Sequence, residues 1–181
     1  FPTLGPAAPA LSRIEMINVN PNFAYKIDDS TSFAVGLDLY DVRDLALNIQ
    51  AAQILGSGSG FGWNIGLTKK LGTVNLGLSY RSSVTADLSG SAIQPAGAIA
   101  ITSEVEFPDM LQIGAYWQAT DNFGLELDVE RTGWSSFDTI KVDSPAGNIT
   151  TSTNNWDDVW AVRLGAIIAL SQQTDLLLGY S

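Results

Sequence analysis

The chain has 181 residues, 45% of them hydrophobic, with a mean hydropathy of +0.13 and a net charge of −10 from 9 Lys plus Arg against 19 Asp plus Glu. So acidic a balance excludes a nucleic-acid surface, which needs a cationic stripe against phosphates. With no Cys and no His, disulfides, thiolate metal sites and a Ser-His-Asp hydrolase centre are also excluded.

No apolar run approaches the roughly 20 residues of a membrane-spanning helix, and the longest ends after a few residues at Leu170. Alternation is the dominant pattern instead. In order, it predicts strands over residues 14–27, 31–43, 61–70, 73–84, 107–119, 123–134 and 156–170, and from 174 onward. Short turns are expected at 28–30, 71–72, 120–122 and 171–173, where hairpin and polar turn residues gather. Longer polar loops are expected at 44–60, 85–106 and 135–155.

Successive side chains of a strand point to opposite faces. Val74, Leu76, Leu78 and Tyr80 therefore oppose Asn75, Gly77, Ser79 and Arg81. Phe61, Trp63, Ile65 and Leu67 likewise oppose Gly62, Asn64, Gly66 and Thr68, and Leu125, Leu127 and Val129 oppose Glu126, Asp128 and Glu130. In a soluble protein such an apolar face needs a second protein layer, and no segment has the period of a covering helix. Lipid supplies that layer if the sheet is a closed barrel, since only helices and closed barrels satisfy their backbone inside a bilayer. Alternating short and long connections are those of an antiparallel outer-membrane barrel. Trp63, Tyr80, Trp134 and Trp160 lie toward the long-loop end, and Phe33, Trp117 and Phe123 toward the short-turn end, where interfacial aromatic girdles are expected.

VNPNFAYKI (19–27), GFGWNIGL (60–67), LGLSYRSSV (76–84), the FPD opening at Phe107, WSSFD (134–138) and NNWDDVWAVRLGA (154–166), in this order, resemble the FadL-type outer-membrane transporters of long-chain fatty acids and hydrocarbons. The resemblance implies an all-β antiparallel transmembrane barrel of about fourteen strands, plugged by an N-terminal hatch, of which about eight strands fall in this chain. Residues 1–181 are then expected to be a partial barrel domain, with 1–13 a loop segment and the hatch and final strands absent. The implied activity is passive transport of hydrophobic compounds across the bacterial outer membrane, with lipid and a hydrophobic small molecule as partners, a monomeric barrel at full length, no enzyme activity and no cofactor. Two alternatives stand beside it: a structural or adhesive barrel of eight strands, whose first and last strands pair, and a lipid-modifying outer-membrane enzyme.

Arg81 and Arg163 carry the polar parity of their strands, and a guanidinium suits a fatty-acid carboxylate through paired hydrogen bonds. They are the first candidates for a ligand headgroup, and structural partnership with an inward acid is the other reading. Glu126, Asp128 and Glu130 read as a solvated lumen face rather than an acid-base cluster, because charge costs little in a watered lumen and much on the lipid face. Gln112 and Asn64 complete the lumen-facing candidates. GSGSGFG (56–62) lacks the Lys and helix of a phosphate loop and reads as a flexible loop. FPTLGPAAPAL (1–11) and LALNIQAAQIL (45–55) are either a greasy landing surface or helical pieces on the rim.

Overall fold

The computed structural model describes residues 12–49 and 52–181. One antiparallel sheet accounts for nearly all of them, built from β1 (Ser12–Val19), β2 (Asn22–Asp28), β3 (Thr31–Ile49), β4 (Ala52–Leu71), β5 (Val74–Arg81), β6 (Val84–Gln94) and β7 (Gly97–Phe107). The sheet continues with β8 (Met110–Thr120), β9 (Phe123–Thr132), β10 (Thr139–Ser144), β11 (Gly147–Thr153), β12 (Val159–Ser171) and β13 (Thr174–Tyr180). A single 3-10 turn, Trp134–Ser136, precedes β10.

Among the described residues the strands number thirteen rather than about eight. The segments expected to be loops, 44–60, 85–106 and 135–155, are mostly paired strand, and the reason lies in their hydrogen bonding. Long backbone stretches must place their N–H and C=O groups somewhere, and here each segment folds back on itself. Ile49 pairs with Ala52, Gln94 with Gly97, and Ser144 with Gly147. GSGSGFG is likewise part of β4 and not a loop. Residues 45–49 and 52–55 are strand rather than helix, while 50–51 and the 1–11 opening lie outside the described residues. The expected loop at 1–13 gives way to strand from Ser12. Every short turn falls where turn residues gather, and Gly72 adopts the positive φ of 61° that its hairpin demands.

At 19 and 20 residues, β3 and β4 are far longer than a bilayer needs, about 60 Å at roughly 3.3 Å per residue. They run through two tiers. The lower tier is ordered β2-β3-β4-β5-β8-β9-β12-β13, and the upper tier β1-β3-β4-β6-β7-β10-β11. Between the tiers the other strands break, at Asn20 and Pro21, at Ser82 and Ser83, at Pro108 and Asp109, and from Gly133 through the 3-10 turn. Proline removes a ladder donor, and local bonds repair the gaps. Pro21 O accepts from Leu37 N at 3.1 Å, Ser82 N donates to Trp63 O at 2.9 Å, and Gly133 N donates to Asp109 O at 2.9 Å.

Because β3 and β4 cross both tiers unbroken, they show that the apolar face changes sides. In the lower tier the apolar residues of β3 and β4 are exposed, with Val35 at 44%, Phe61 at 59% and Ile65 at 43%. In the upper tier Val42, Val84, Ala86, Leu88, Ile101, Val105 and Val142 are buried on the opposite face, and Asp87 and Glu104 point out.

The sheet is not closed. Among the described residues β1 and β2 pair only with β3, and β13 only with β12, so the self-contained barrel of eight strands is not formed.

Candidate functional site

On the interior face where the tiers meet, Asp38 is completely buried. Its Oδ1 accepts hydrogen bonds from Asn18 Nδ2 at 3.1 Å and Asn20 Nδ2 at 2.9 Å, and its Oδ2 from Asn64 Nδ2 at 2.8 Å. Arg81 Nε lies 3.5 Å from Oδ1. A carboxylate offers about four acceptor positions, so the three amides nearly saturate it. Burying a charge is tolerated only with such pairing. The Asn20 and Pro21 break makes this possible: Asn20 Nδ2 also donates to Leu37 O at 2.7 Å, tying the interrupted edge to β3. Gly36 leaves room below it for the Asn22 and Asn64 amides, which a Cβ there would push aside. The lower tier thus brings two sequence candidates, Asn64 and Arg81, to one carboxylate that sequence reasoning missed. The available signal was the Asn-x-Asn-x-Asn spacing around Pro21, which puts Asn18, Asn20 and Asn22 on one parity opposite Asp38.

A second group lies on β8, β9 and β12. Glu130 accepts from Gln112 Nε2 at 2.7 Å and from both terminal nitrogens of Arg163, at 3.1 and 3.4 Å. Asp128 stands across the ladder from Arg163 and beside Gly114, and Glu126 packs over Gly165. The two arginines therefore differ. Arg163 spends its fork on Glu130, whereas Arg81 makes no side-chain hydrogen bond among the described residues and approaches only the Asp38 carboxylate as an ion pair, at 3.5 Å.

At the rim, Arg131 bridges Asp109 at 2.9 Å and Asp158 at 2.6 Å. Asp158 also accepts from the Ser135 hydroxyl at 2.7 Å and backbone N–H at 3.2 Å, and these donors, followed by Arg131, hold its carboxyl below the usual range. Trp134, Phe137 and Trp156 pack against one another with ring centroids 5.1 to 6.0 Å apart, so the WSSFD segment clamps the upper tier onto the lower.

Above them, the buried face of the upper tier encloses a cavity of about 250 Å³. Leu88, Ile101, Val105, Val142, Ile54 and Phe137 line it, drawn from three different hairpins. No single segment of sequence announces it.

The family described as outer membrane protein transport protein (OMPP1/FadL/TodX) matches residues 5–181. The long-chain fatty acid transport protein of Salmonella typhi is 25% identical over 197 residues, covering 84% of this chain and 45% of that protein. Its counterpart from Escherichia coli O6:H1 is 24% identical over 203 residues, covering 84% and 46%. The chain spans about half the length of the curated relatives it matches. Among solved structures, a Pseudomonas aeruginosa FadL homologue superposes with a TM-score of 0.80 at 15% identity, over 94% of this chain and 50% of that one. The Pseudomonas putida toluene transporter TodX gives 0.66 at 19% identity, over 93% and 55%. These likenesses carry the fold.

Proposed function

Because the chain belongs to the OMPP1/FadL/TodX family of outer-membrane transport proteins, we propose that it forms part of the wall of a passive channel carrying hydrophobic compounds, long-chain fatty acids or aromatic hydrocarbons, across the bacterial outer membrane. The supporting observation is the change of apolar face between tiers. Outward Val35, Phe61, Ile65 and Leu78 suit hydrocarbon tails, while inward Leu88, Ile101 and Val105 suit a greasy solute arriving from water. Removing apolar surface from water supplies about 25 cal/mol per Å², so no energy source or covalent step is required. The chain is then a non-catalytic, partial barrel domain in contact with lipid, and monomeric when its remaining strands close the sheet.

Arg81 is the residue that holds an anionic headgroup on the way down, because its guanidinium makes no side-chain hydrogen bond among the described residues and stands next to a carboxylate that three amides already nearly saturate. Asn64 orients Asp38 beneath it. Gln112, Glu126, Asp128, Glu130 and Arg163 line the polar passage below. The test is uptake of a labelled long-chain fatty acid by cells lacking their own carrier and expressing the full-length gene. Uptake is expected, and its absence despite correct membrane insertion defeats the proposal.

A further inference from the structure

We propose that the strap Gly133–Asp138 is a gate on the upper-tier cavity: Phe137 is the cavity's movable wall, and Asp158 is the positioning residue that latches it shut through Ser135. The proposal rests on the channel reading, since a gate acts on a passing solute, and it adds the element that regulates passage.

Every other residue lining the cavity belongs to a strand of the upper tier and is fixed by the ladder. Phe137 alone comes from the break between β9 and β10, where the chain forms a single 3-10 turn. That break lies between the tiers, so Phe137 forms the end of the cavity toward the lower tier. A wall outside the ladder can move without breaking the sheet.

The ties that hold this wall are few. Of residues 134–136, only Ser135 hydrogen-bonds beyond the strap among the described residues, and its hydroxyl at 2.7 Å and backbone N–H at 3.2 Å both donate to Asp158 Oδ1. Asp158 Oδ2 accepts from Arg131 Nε at 3.1 Å and Nη2 at 2.6 Å, and Arg131 Nη1 donates to Asp109 at 2.9 Å. One carboxylate oxygen is therefore fixed by β9 while the other holds the strap. Ser135 is exposed, and Arg131 and Asp158 are only partly covered, so water can replace these bonds when they open. The strap's ends are moored separately. Gly133 N donates to Asp109 O at 2.9 Å, and Asn154 donates to Phe137 O at 3.0 Å and to Asp138 O at 2.6 Å. What the latch controls is the turn between these moorings and the Phe137 ring at its end, which packs on the Val42, Ala86, Leu88 and Val105 cluster and stacks on Trp156 at 5.1 Å.

The closed strap also carries a cost. Ser136 Oγ is buried without a hydrogen-bond partner, and native proteins leave few such groups. Opening the turn gives that hydroxyl to water. Exposed latch bonds set against an orphaned hydroxyl leave the two arrangements close in free energy, which is what a two-state element needs.

The experiment expresses the full-length protein in cells lacking their own carrier and compares uptake of labelled toluene and naphthalene. Purified protein reports the strap through the circular-dichroism couplet of Trp134 and Trp156, whose ring centroids lie 5.3 Å apart. In Asp158→Ala the naphthalene-to-toluene uptake ratio should rise about tenfold, the equivalent of one charge-assisted hydrogen bond lost from the closed state, and the couplet should weaken. Asp158→Asn, whose amide oxygen still accepts from Ser135, should raise the ratio less. Phe137→Ala should raise it too, and adding Asp158→Ala to Phe137→Ala should change nothing further, because one residue acts through the other. A merely structural Asp158 would lower both solutes together. That result, in a variant that keeps its heat-modifiable barrel mobility, overturns the gate, as do an unchanged ratio or additive effects. Wild-type uptake with a ratio that ignores Asp158 sinks the gate and spares the channel. No uptake by any of these proteins despite correct insertion sinks the channel, and the couplet then decides the latch, an unchanged signal in Asp158→Ala overturning it.

Discussion

In the lower tier the hydrophobic side chains of β3 and β4 face away from the sheet's interior and remain exposed, and glycine and hydrogen-bonded polar groups fill the inside. The upper tier, made from the same two long strands and their hairpin continuations, buries its aliphatic residues and turns Asp87 and Glu104 to solvent. One sheet thus carries the two patterns of exposure that two different solvents would call for. Where lipid surrounds the wall, apolar surface belongs outside; where water does, it must go inside. The breaks at Pro21, Ser82 and Pro108 fall along the line between these regimes. A residue added or removed from a strand switches which side chains face inward, and on β5/β6 the inward row passes from odd-numbered Ser79 and Arg81 to even-numbered Val84 and Ala86.

The contrast can be broken most severely with glycine. A Cβ on Gly90 would meet the backbone of Leu55 and Gly56, whereas one on Gly77 in the lower tier meets nothing within 4 Å. Gly90→Val is expected to cost more than about 3 kcal/mol, the upper range of overpacking, and Gly77→Val little. Urea unfolding of the refolded barrel compares them, and equal costs would remove the distinction in packing.

At the junction, Asp38→Ala strands three asparagine amides and Arg81, for an expected loss of about 3 kcal/mol, and Asp38→Asn loses less. Limited proteolysis should also find new cleavage near Asn20 and Pro21, since Asp38 anchors that break.

The solvent assignment itself is sharpened by charge. Leu78→Arg on the outward face of the lower tier should destabilise insertion by about 2 kcal/mol or more, while Asp87→Arg on the outward face of the upper tier should stay within about 0.5 kcal/mol. Equal effects in a lipid-bilayer folding assay would mean that the two faces meet the same medium.

The smallest effect is at the short-turn end. Asp28 accepts from the Ser30 hydroxyl and N–H, both at 2.7 Å, and these bonds lower its pKa to about 2. Its folded value is depressed, so its contribution is full above the ordinary carboxylate value of 3.8 and disappears as pH falls toward 2. The stability gap between wild type and Asp28→Asn should therefore be present at pH 5 and nearly closed at pH 2. A gap that does not change with pH would show that the turn does not depend on the ionised carboxylate.

Much of the lower tier was legible in advance, because period-2 alternation and turn chemistry act over a few residues. Phe61 to Leu67 and Val74 to Tyr80 declare their faces unaided, and Gly72 and Asp28 declare their turns. Arg81 and Asn64 were readable as inward by parity alone. What the upper tier does was not readable, since polar segments such as 85–106 carry loop composition and become strand only by pairing with each other. Asp38 looked like one more acid on a polar face. Asp38 gains its meaning from Asn18, Asn20, Asn64 and Arg81, brought together from β1, the break that follows it, β4 and β5. Local chain chemistry determined which residues extend, where they turn and which face is greasy; the three-dimensional arrangement alone decided which face of each tier is buried and which distant side chains share a carboxylate or a cavity, because those depend on contacts between residues far apart in the chain.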